Sequence, residues 1–411
     1  MAPGASVEQA ELDQLRSIVD AGYPAFLADL ERLCSIDCGT YTPNGVNEVA
    51  TWVAGQFEEL GASVERRPEP NGRFGDTVIG TWSNPALAGR GPRVLLIGHM
   101  DTVFDEGTAA KRPFRIEDGI AYGPGVTDMK GGLLAGLYAI GALQGVLGEG
   151  AGLPFERLTY IANPDEEIGS PSSRPHIQEI AANTDVCLCL ECARANGDFV
   201  SSRKGIADLK VSIFGRAAHA GVEPEKGRSA ILAGAALVRE IHDLNGRWPG
   251  VTANVGVFKA GTRPNIVCDE AELHVDVRAT TAENLELALT AIQNLAVDPS
   301  VPGCTTHIET MAGWAPMEKL ERSGRLADHT IALARRLGFE TEDVATGGAS
   351  DANTTSGIGV PTIDGLGPIG GMDHSPDEYL EVGSIVPRTA LLAALLLEVM
   401  RDPVVASWRT A

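Results

Sequence analysis

Five short stretches of this chain place histidines and carboxylates where metal-assisted chemistry could occur. Gly98-His99-Met100-Asp101 follows an apolar run, Arg93 to Gly98, that reads as a buried strand. His99 then sits at the strand's carboxyl end, where open α/β sheets place their sites. Asp101 could accept the second imidazole N–H and fix the tautomer of a metal-bound ring; a merely solvated turn histidine is the alternative. Gly125-Val-Thr-Asp128-Met-Lys-Gly-Gly132 is a glycine-rich turn entering a helix. Asp128 could bridge two cations through its two oxygens, or it could N-cap that helix. Asn163-Pro-Asp165-Glu166-Glu167 follows a second strand, and its three adjacent acids repel one another unless cations or protons relieve them. Glu191 ends a third strand. Gly370-Gly-Met-Asp373-His374-Ser375-Pro376 puts one of only eight histidines in a turn-rich loop, where a surface turn competes with a ligand.

Taken together, His99, Asp128, a glutamate of the Asp165–Glu167 cluster, Glu191 and His374 supply two imidazoles and three carboxylates. That inventory fits two zinc ions about 3.5–4 Å apart that share one carboxylate, with cobalt or manganese able to substitute. Cys187, Cys189 and Cys192 suggest a second zinc motif. Cys187 and Cys189 share one face of a strand, however, and no second thiol pair completes a tetrahedron, so small buried hydrophobes is the better reading.

These residues need a scaffold. Apolar runs at Arg93–Gly98, Leu158–Ala162 and Asp185–Leu190 read as buried strands, with a helix at Gly131–Val146 between the first two. Strands that alternate with helices predict an α/β sheet covered on both faces, mixed but mostly parallel. Three- and four-residue spacing predicts helices over Ser6–Cys34, broken near Gly22-Tyr23-Pro24, and over Asn47–Leu60, with Gly61 as C-cap. The texture changes in the middle of the chain. Asp208–Phe214 alternates polar and apolar residues; a helix at Ser229–Leu244, strands at Ala253–Lys259 and Glu272–Arg278, and a helix at Ala282–Leu295 follow. This is a small α+β sandwich. Helices return at Gly324–Leu337 and Val386–Met400. The expected division is a catalytic domain from 1–203 and 313–411, with an inserted domain at 204–312.

The chain has 411 residues, enough for two domains with cores, and 44% of them are hydrophobic. Its net charge of −22 argues against nucleic acid and anionic membranes as partners. The apolar stretches Gly131–Val146 and Ala390–Met400 read as too short to span a bilayer. Seven cysteines lack a disulfide rhythm and no leader-like segment opens the chain, so the cytoplasm is the expected compartment.

The chain resembles the co-catalytic di-zinc amidohydrolases that include carboxypeptidase G, acetylornithine deacetylase, succinyl-diaminopimelate desuccinylase and aminoacylase. His99-Met-Asp101, Gly125 to Gly132, Pro164 to Ser170, Ala217-Ala-His219-Ala-Gly221 and Gly370 to Pro376 carry the resemblance, in order, over nearly the whole chain. It implies that Asp128 bridges two zinc ions, one also held by His99 and Glu191, the other by Glu167 and His374. It implies that Asp101 orients His99, that Glu166 is the general base, and that the inserted domain dimerises so that His219 reaches the partner's site. A small peptide or N-acyl amino acid would be the substrate. Arg278, late in a predicted strand, is a candidate for its carboxylate, with Asn265 beside it and the backbone of Gly348 in the Gly347-Gly-Ala-Ser350-Asp351 loop; a strand-end salt bridge is the other reading of Arg278. Several glutamate-releasing relatives carry an arginine where this chain has Trp314, which weighs against glutamate release and for a more apolar or aromatic substrate. The expected reaction is carboxypeptidase-like, with an N-acyl-amino-acid deacylase as the alternative and a non-catalytic binding protein as a remote one.

Overall fold

Six strands form the sheet that carries the candidate site, in the order Ser63–Arg67, Thr77–Ser83, Arg157–Asn163, Arg93–His99, Val186–Cys189, Thr362–Ile363. The first two pairings are antiparallel and the other three parallel. The sheet is therefore mixed and mostly parallel, as the alternating pattern predicts. Its central strands are apolar along their length and buried almost throughout, because helices cover both faces. The Ser63–Arg67 edge strand is largely exposed and charged, which is why no apolar run announced it.

The structure, a computed structural model, describes residues 6–148 and 153–408. The chain divides into two units. One comprises the chain up to Ser201, Lys319–Ala345 and the chain from Ser350 onward; the other comprises Ser202–Glu318 with Thr346–Ala349.

In the first unit the helices Gln9–Cys34, Gly131–Leu147 and Ile385–Arg401 pack on one another. The expected break near Pro24 does not occur; the first helix runs through it. Leu12, Leu15 and Val19 before the proline, and Phe26, Leu30 and Leu33 after it, are all buried in the core. That packing outweighs the proline's lost hydrogen bond. The second helix starts at Pro43, earlier than Asn47, with proline in its first turn. Two segments exceed the lengths expected of them. Val126–Leu147 and Val382–Arg401 have 22 and 20 residues and are apolar enough to cross a bilayer, but 67% and 83% of their apolar windows are buried inside the protein. They are core helices here.

The second unit holds an antiparallel four-stranded sheet, ordered Thr252–Ala260, Glu270–Ala279, Gly205–Phe214, Thr305–Trp314. The helices Ala230–His242 and Ala282–Val297 pack against its alternating apolar residues, such as Leu209, Val211, Leu273 and Val275. Ser229 and Thr281 cap the two helices, accepting the N–H groups of Leu232 and Asn284. The sequence reading missed the fourth strand. Thr305–Trp314 is mostly exposed, so it lacks the apolar alternation that marks its neighbours. Because it runs to Trp314, the unit extends to Glu318, past the boundary expected at 312.

Candidate metal centre

Three neighbouring strands of the first unit's sheet lead, at their carboxyl ends, into the candidate site. His99 is the last residue of its strand and only 1% exposed. Asn163 lies level with it on the neighbouring strand and leads into the short Glu166–Ile168 turn. Glu191 follows the Val186–Cys189 strand. Asp128 comes from the irregular Val126–Lys130 turn before the Gly131–Leu147 helix. It does not cap that helix, whose N-cap position is Lys130 and has no side-chain capping bond. His374 lies on the loop between the short strands Gly370–Gly371 and Tyr379–Glu381.

The two oxygens of Asp128 face different imidazoles. Oδ1 is 3.0 Å from His99 Nε2, and Oδ2 is 3.2 Å from His374 Nε2. Glu167 Oε2 lies 3.0 Å from His374 Nε2, and Glu191 Oε1 lies 3.7 Å from His99 Nε2. One potential ligand atom each from His99, Asp128 and Glu167 falls within 4.8 Å of the others, and the same holds for His99, Glu166 and Glu191. Neither group includes a thiol. Cys187, Cys189 and Cys192 are buried free thiols, and burial raises the pKa of each.

The other face of His99 is set by Asp101. His99 Nδ1 is 3.0 Å from the Asp101 carbonyl oxygen and 3.3 Å from its Oδ1. The buried Asp101 carboxylate also accepts the hydroxyl of Thr40 at 2.6 Å and the backbone N–H groups of Glu166 and Glu167 at 3.1 and 3.3 Å. One side chain thus ties the histidine strand to the acidic turn. Asp165 faces elsewhere: its carboxylate accepts from the backbone N–H and hydroxyl of Ser172 at 2.6 and 2.7 Å, and from the Ser173 hydroxyl.

The protein groups alone leave this pocket short of positive charge. Burial pushes Glu166 well above the ordinary carboxylate range; the His99 charge opposes that, while Glu191, Asp351 and Glu167 add to it. Burial likewise carries Glu167 to about 7. Burial alone would lower His99, but the Asp101 and Asp128 carboxylates hold it well above its usual value. Hydrogen bonds to Asp128 and Glu167 push His374 up to about 10. The neighbouring carboxylates thus strengthen the hold of both imidazoles on a proton, at positions where a divalent ion could take its place.

In the second unit, His219 and Asn265 are exposed and adjacent: the Ala220 N–H donates to the Asn265 carbonyl at 3.0 Å, and His219 bridges to Ile266. Arg278 is engaged in the salt bridge weighed above, with Nε 3.1 Å from Asp276 Oδ1, and its Nη1 donates to the Gly347 carbonyl at 2.9 Å. Gly348 is exposed, and its carbonyl accepts from Arg203 at 3.2 Å.

A family model described as "Peptidase family M20/M25/M40" matches residues 95–398. The chain belongs to this family. Carboxypeptidase G2 of Pseudomonas sp. (strain RS-16) is 32% identical over 378 residues, covering 91% of this chain and 89% of that protein. Acetylornithine deacetylase of Edwardsiella ictaluri (strain 93-146) is 28% identical over 362 residues, covering 84% and 89%. Among solved structures, aminopeptidase PepT from Bacillus cereus shares the fold, with a TM-score of 0.74, 23% identity and coverage of 92% and 98%.

Around the centre of this M20/M25/M40 chain stand two buried acids that sequence reasoning did not single out for a role. Asp351 accepts the amide of Asn163 at 2.7 Å and the hydroxyl of Ser170, and burial raises it to about 6. Glu378 accepts three backbone N–H groups of the Asp128 turn. Neither had a local signal. Asp351 stood in a loop noted for its glycines, and Glu378 lies just beyond the noted His374 stretch; each contact joins residues far apart in the chain.

Proposed function

We propose that this M20/M25/M40 chain is a two-metal hydrolase that cuts an amide or peptide bond beside a free carboxylate, releasing an amino acid. The observation that carries the reading is Asp128, whose two oxygens sit 3.0 and 3.2 Å from two separate imidazoles with Glu167 and Glu191 alongside. The donor set is nitrogen and oxygen only, which suits zinc, with cobalt or manganese as substitutes. His99 and Glu191 would hold one ion, Glu167 and His374 the other, and Asp128 both. Bound there, the pair would supply an acidified water and a polarised scissile carbonyl.

The chain's own groups do the rest. Glu166 projects from the turn that Asp101 fixes, and its affinity for a proton is raised by burial. It takes the proton of the attacking water and returns it to the leaving amine. Asp101 keeps the His99 ring oriented. By family resemblance, His219 meets the oxyanion in a partner copy's site within a homodimer, and Asn265, Arg278 and the Gly348 backbone meet the substrate carboxylate. The Asp276 pair engages Arg278 as a strand-end bridge, so Asn265 is the stronger of the two candidates. The seven cysteines are all free, which supports a reducing, cytoplasmic location. The acidic surface supports a small-molecule substrate over nucleic acid or membrane.

A second reading, removal of an N-acyl group from an amino acid, is favoured by the acetylornithine deacetylase relative. The deciding experiment is a panel of dipeptides and N-acyl amino acids, varied on each side of the bond and assayed with zinc and after chelation. Hydrolysis of some member, lost on chelation and restored by zinc, is expected. Full activity in chelator with no metal retained would sink the proposal.

A further inference from the structure

We infer that Glu378 is a positioning residue that locks the Asp128 turn to the His374 loop, so that losing its carboxylate weakens metal binding and slows turnover. The turnover part rests on the function proposed above; the metal-binding part does not.

Glu378 is 1% exposed. Its Oε2 accepts the Gly125 N–H at 2.8 Å, and its Oε1 accepts the N–H groups of Thr127 and Asp128 at 2.9 and 3.1 Å. Three N–H groups of one turn are thus met by one side chain from the far end of the sequence. The turn cannot meet them itself. Asp128 and Met129 have non-helical dihedrals, and Gly125 has a φ of +71°. Buried N–H groups left without partners are costly, so the turn keeps this shape only while an acceptor stands beneath it.

The location of that acceptor gives it leverage. Glu378 immediately precedes the Tyr379–Glu381 strand, which pairs on one side with Gly370–Gly371 and on the other with Ile120–Tyr122. The first pairing closes the loop that bears His374; the second abuts the segment leading into Gly125. His374 and Asp128 therefore hang from opposite sides of one small sheet, and the Glu378 carboxylate closes the span between them. Its contact with Asp128 is to the backbone N–H, leaving both side-chain oxygens free to face the imidazoles. It sits behind the ligands and acts through them.

The test uses the full chain, stripped of metal with a chelator and then titrated with zinc against a chromophoric competitor. Glu378→Gln keeps the shape and one carbonyl acceptor, but turns an amide NH₂ toward N–H donors. Glu378→Ala removes the acceptor altogether. Zinc affinity should fall by about 10- to 100-fold in each folded variant, the usual range for groups behind metal ligands. At saturating zinc, kcat should fall with KM little changed. Circular dichroism and cooperative melting of the metal-free proteins report folding separately. Should Glu378→Ala fail to fold, Glu378→Gln decides. A folded Glu378→Gln protein with wild-type zinc affinity overturns the inference, and so does a result in which neither variant folds, because the residue's task would then be folding itself. A wild-type protein that binds zinc yet cleaves no member of the substrate panel would remove the proposed function and leave the affinity comparison standing.

Discussion

The carboxylate of Asp101 accepts the backbone N–H of Glu166 at 3.1 Å. The group that contacts the His99 ring therefore also holds the turn bearing the proposed base. Orientation of a ligand and placement of a proton acceptor are normally separate tasks; here one side chain links them. Asp101→Ala should consequently lower both zinc affinity and kcat, each by about 10- to 100-fold. Asp101→Asn, which still accepts at one oxygen, should recover part of the loss. Zinc titration and steady-state kinetics check this, and an Asp101→Ala protein with normal kcat would break the link.

Glu166→Gln separates chemistry from metal binding. The amide cannot take a proton, so kcat should fall by about 100- to 10,000-fold. Zinc content, measured by atomic absorption, should stay at the wild-type level because the five proposed ligands are intact. Loss of zinc along with activity would make Glu166 a ligand rather than a base.

Zinc binding should expel protons. With the protein groups alone, His374 is raised to about 10, so at pH 8 it carries a proton that the ion must displace, and the Asp101 and Asp128 carboxylates shift His99 in the same direction. Calorimetry in buffers of different ionisation enthalpy should show a net release of at least about one proton per chain.

That release sets a sign for stability. A histidine whose folded pKa is raised stabilises the metal-free protein fully below its unfolded value, and the contribution is lost as pH climbs toward about 10 for His374. A carboxyl raised to about 7, such as Glu167, likewise favours the folded state at low pH and loses that contribution between its unfolded value and 7. Both trends weaken the metal-free form as pH rises, while the zinc-loaded form gains affinity. The difference in melting temperature between loaded and stripped protein should therefore widen from pH 6 to pH 9. A gap that narrows over that range would contradict the assignment of His374 as a ligand.

Gly132 has a packing reason to be glycine. A Cβ there would lie 1.8 Å from the backbone oxygen of Leu190, the residue before Glu191. Gly132→Ala must push the helix and strand apart. A loss of about 1–3 kcal/mol is expected from overpacking, read by denaturant melts, together with weaker zinc binding as Glu191 shifts.

The legible parts of this chain were those with local signatures. The Arg93–His99 and Arg157–Asn163 strands are continuous apolar runs, and their polar terminal residues stand out against them. The acid cluster at Asp165–Glu167 was visible because like charges in sequence demand an explanation. What stayed hidden had no such contrast. Thr305–Trp314 is exposed and polar for most of its length, and only its ladder with Gly205–Phe214 makes it a strand. Pro24 read as a helix break because the burial that overrides it involves residues on both sides of it, packed against distant helices. Of the three acids at Asp165–Glu167, the sequence could not say that Asp165 turns to Ser172 and Ser173 while the other two face the histidines.

The order of the pieces along the chain bears on when the centre can be loaded. His99, Asp128, Glu167 and Glu191 all precede Ser202, and His374 follows the whole of Ser202–Glu318. A ribosome must therefore translate the entire intervening unit before the last imidazole exists. Until then a nascent chain offers an ion only part of the set, without the His374 loop or the Glu378 clasp. On the proposed ligand set, full metalation would in that sense be a late event of biosynthesis, with the finished polypeptide, not the growing one, competing for the cell's metal supply.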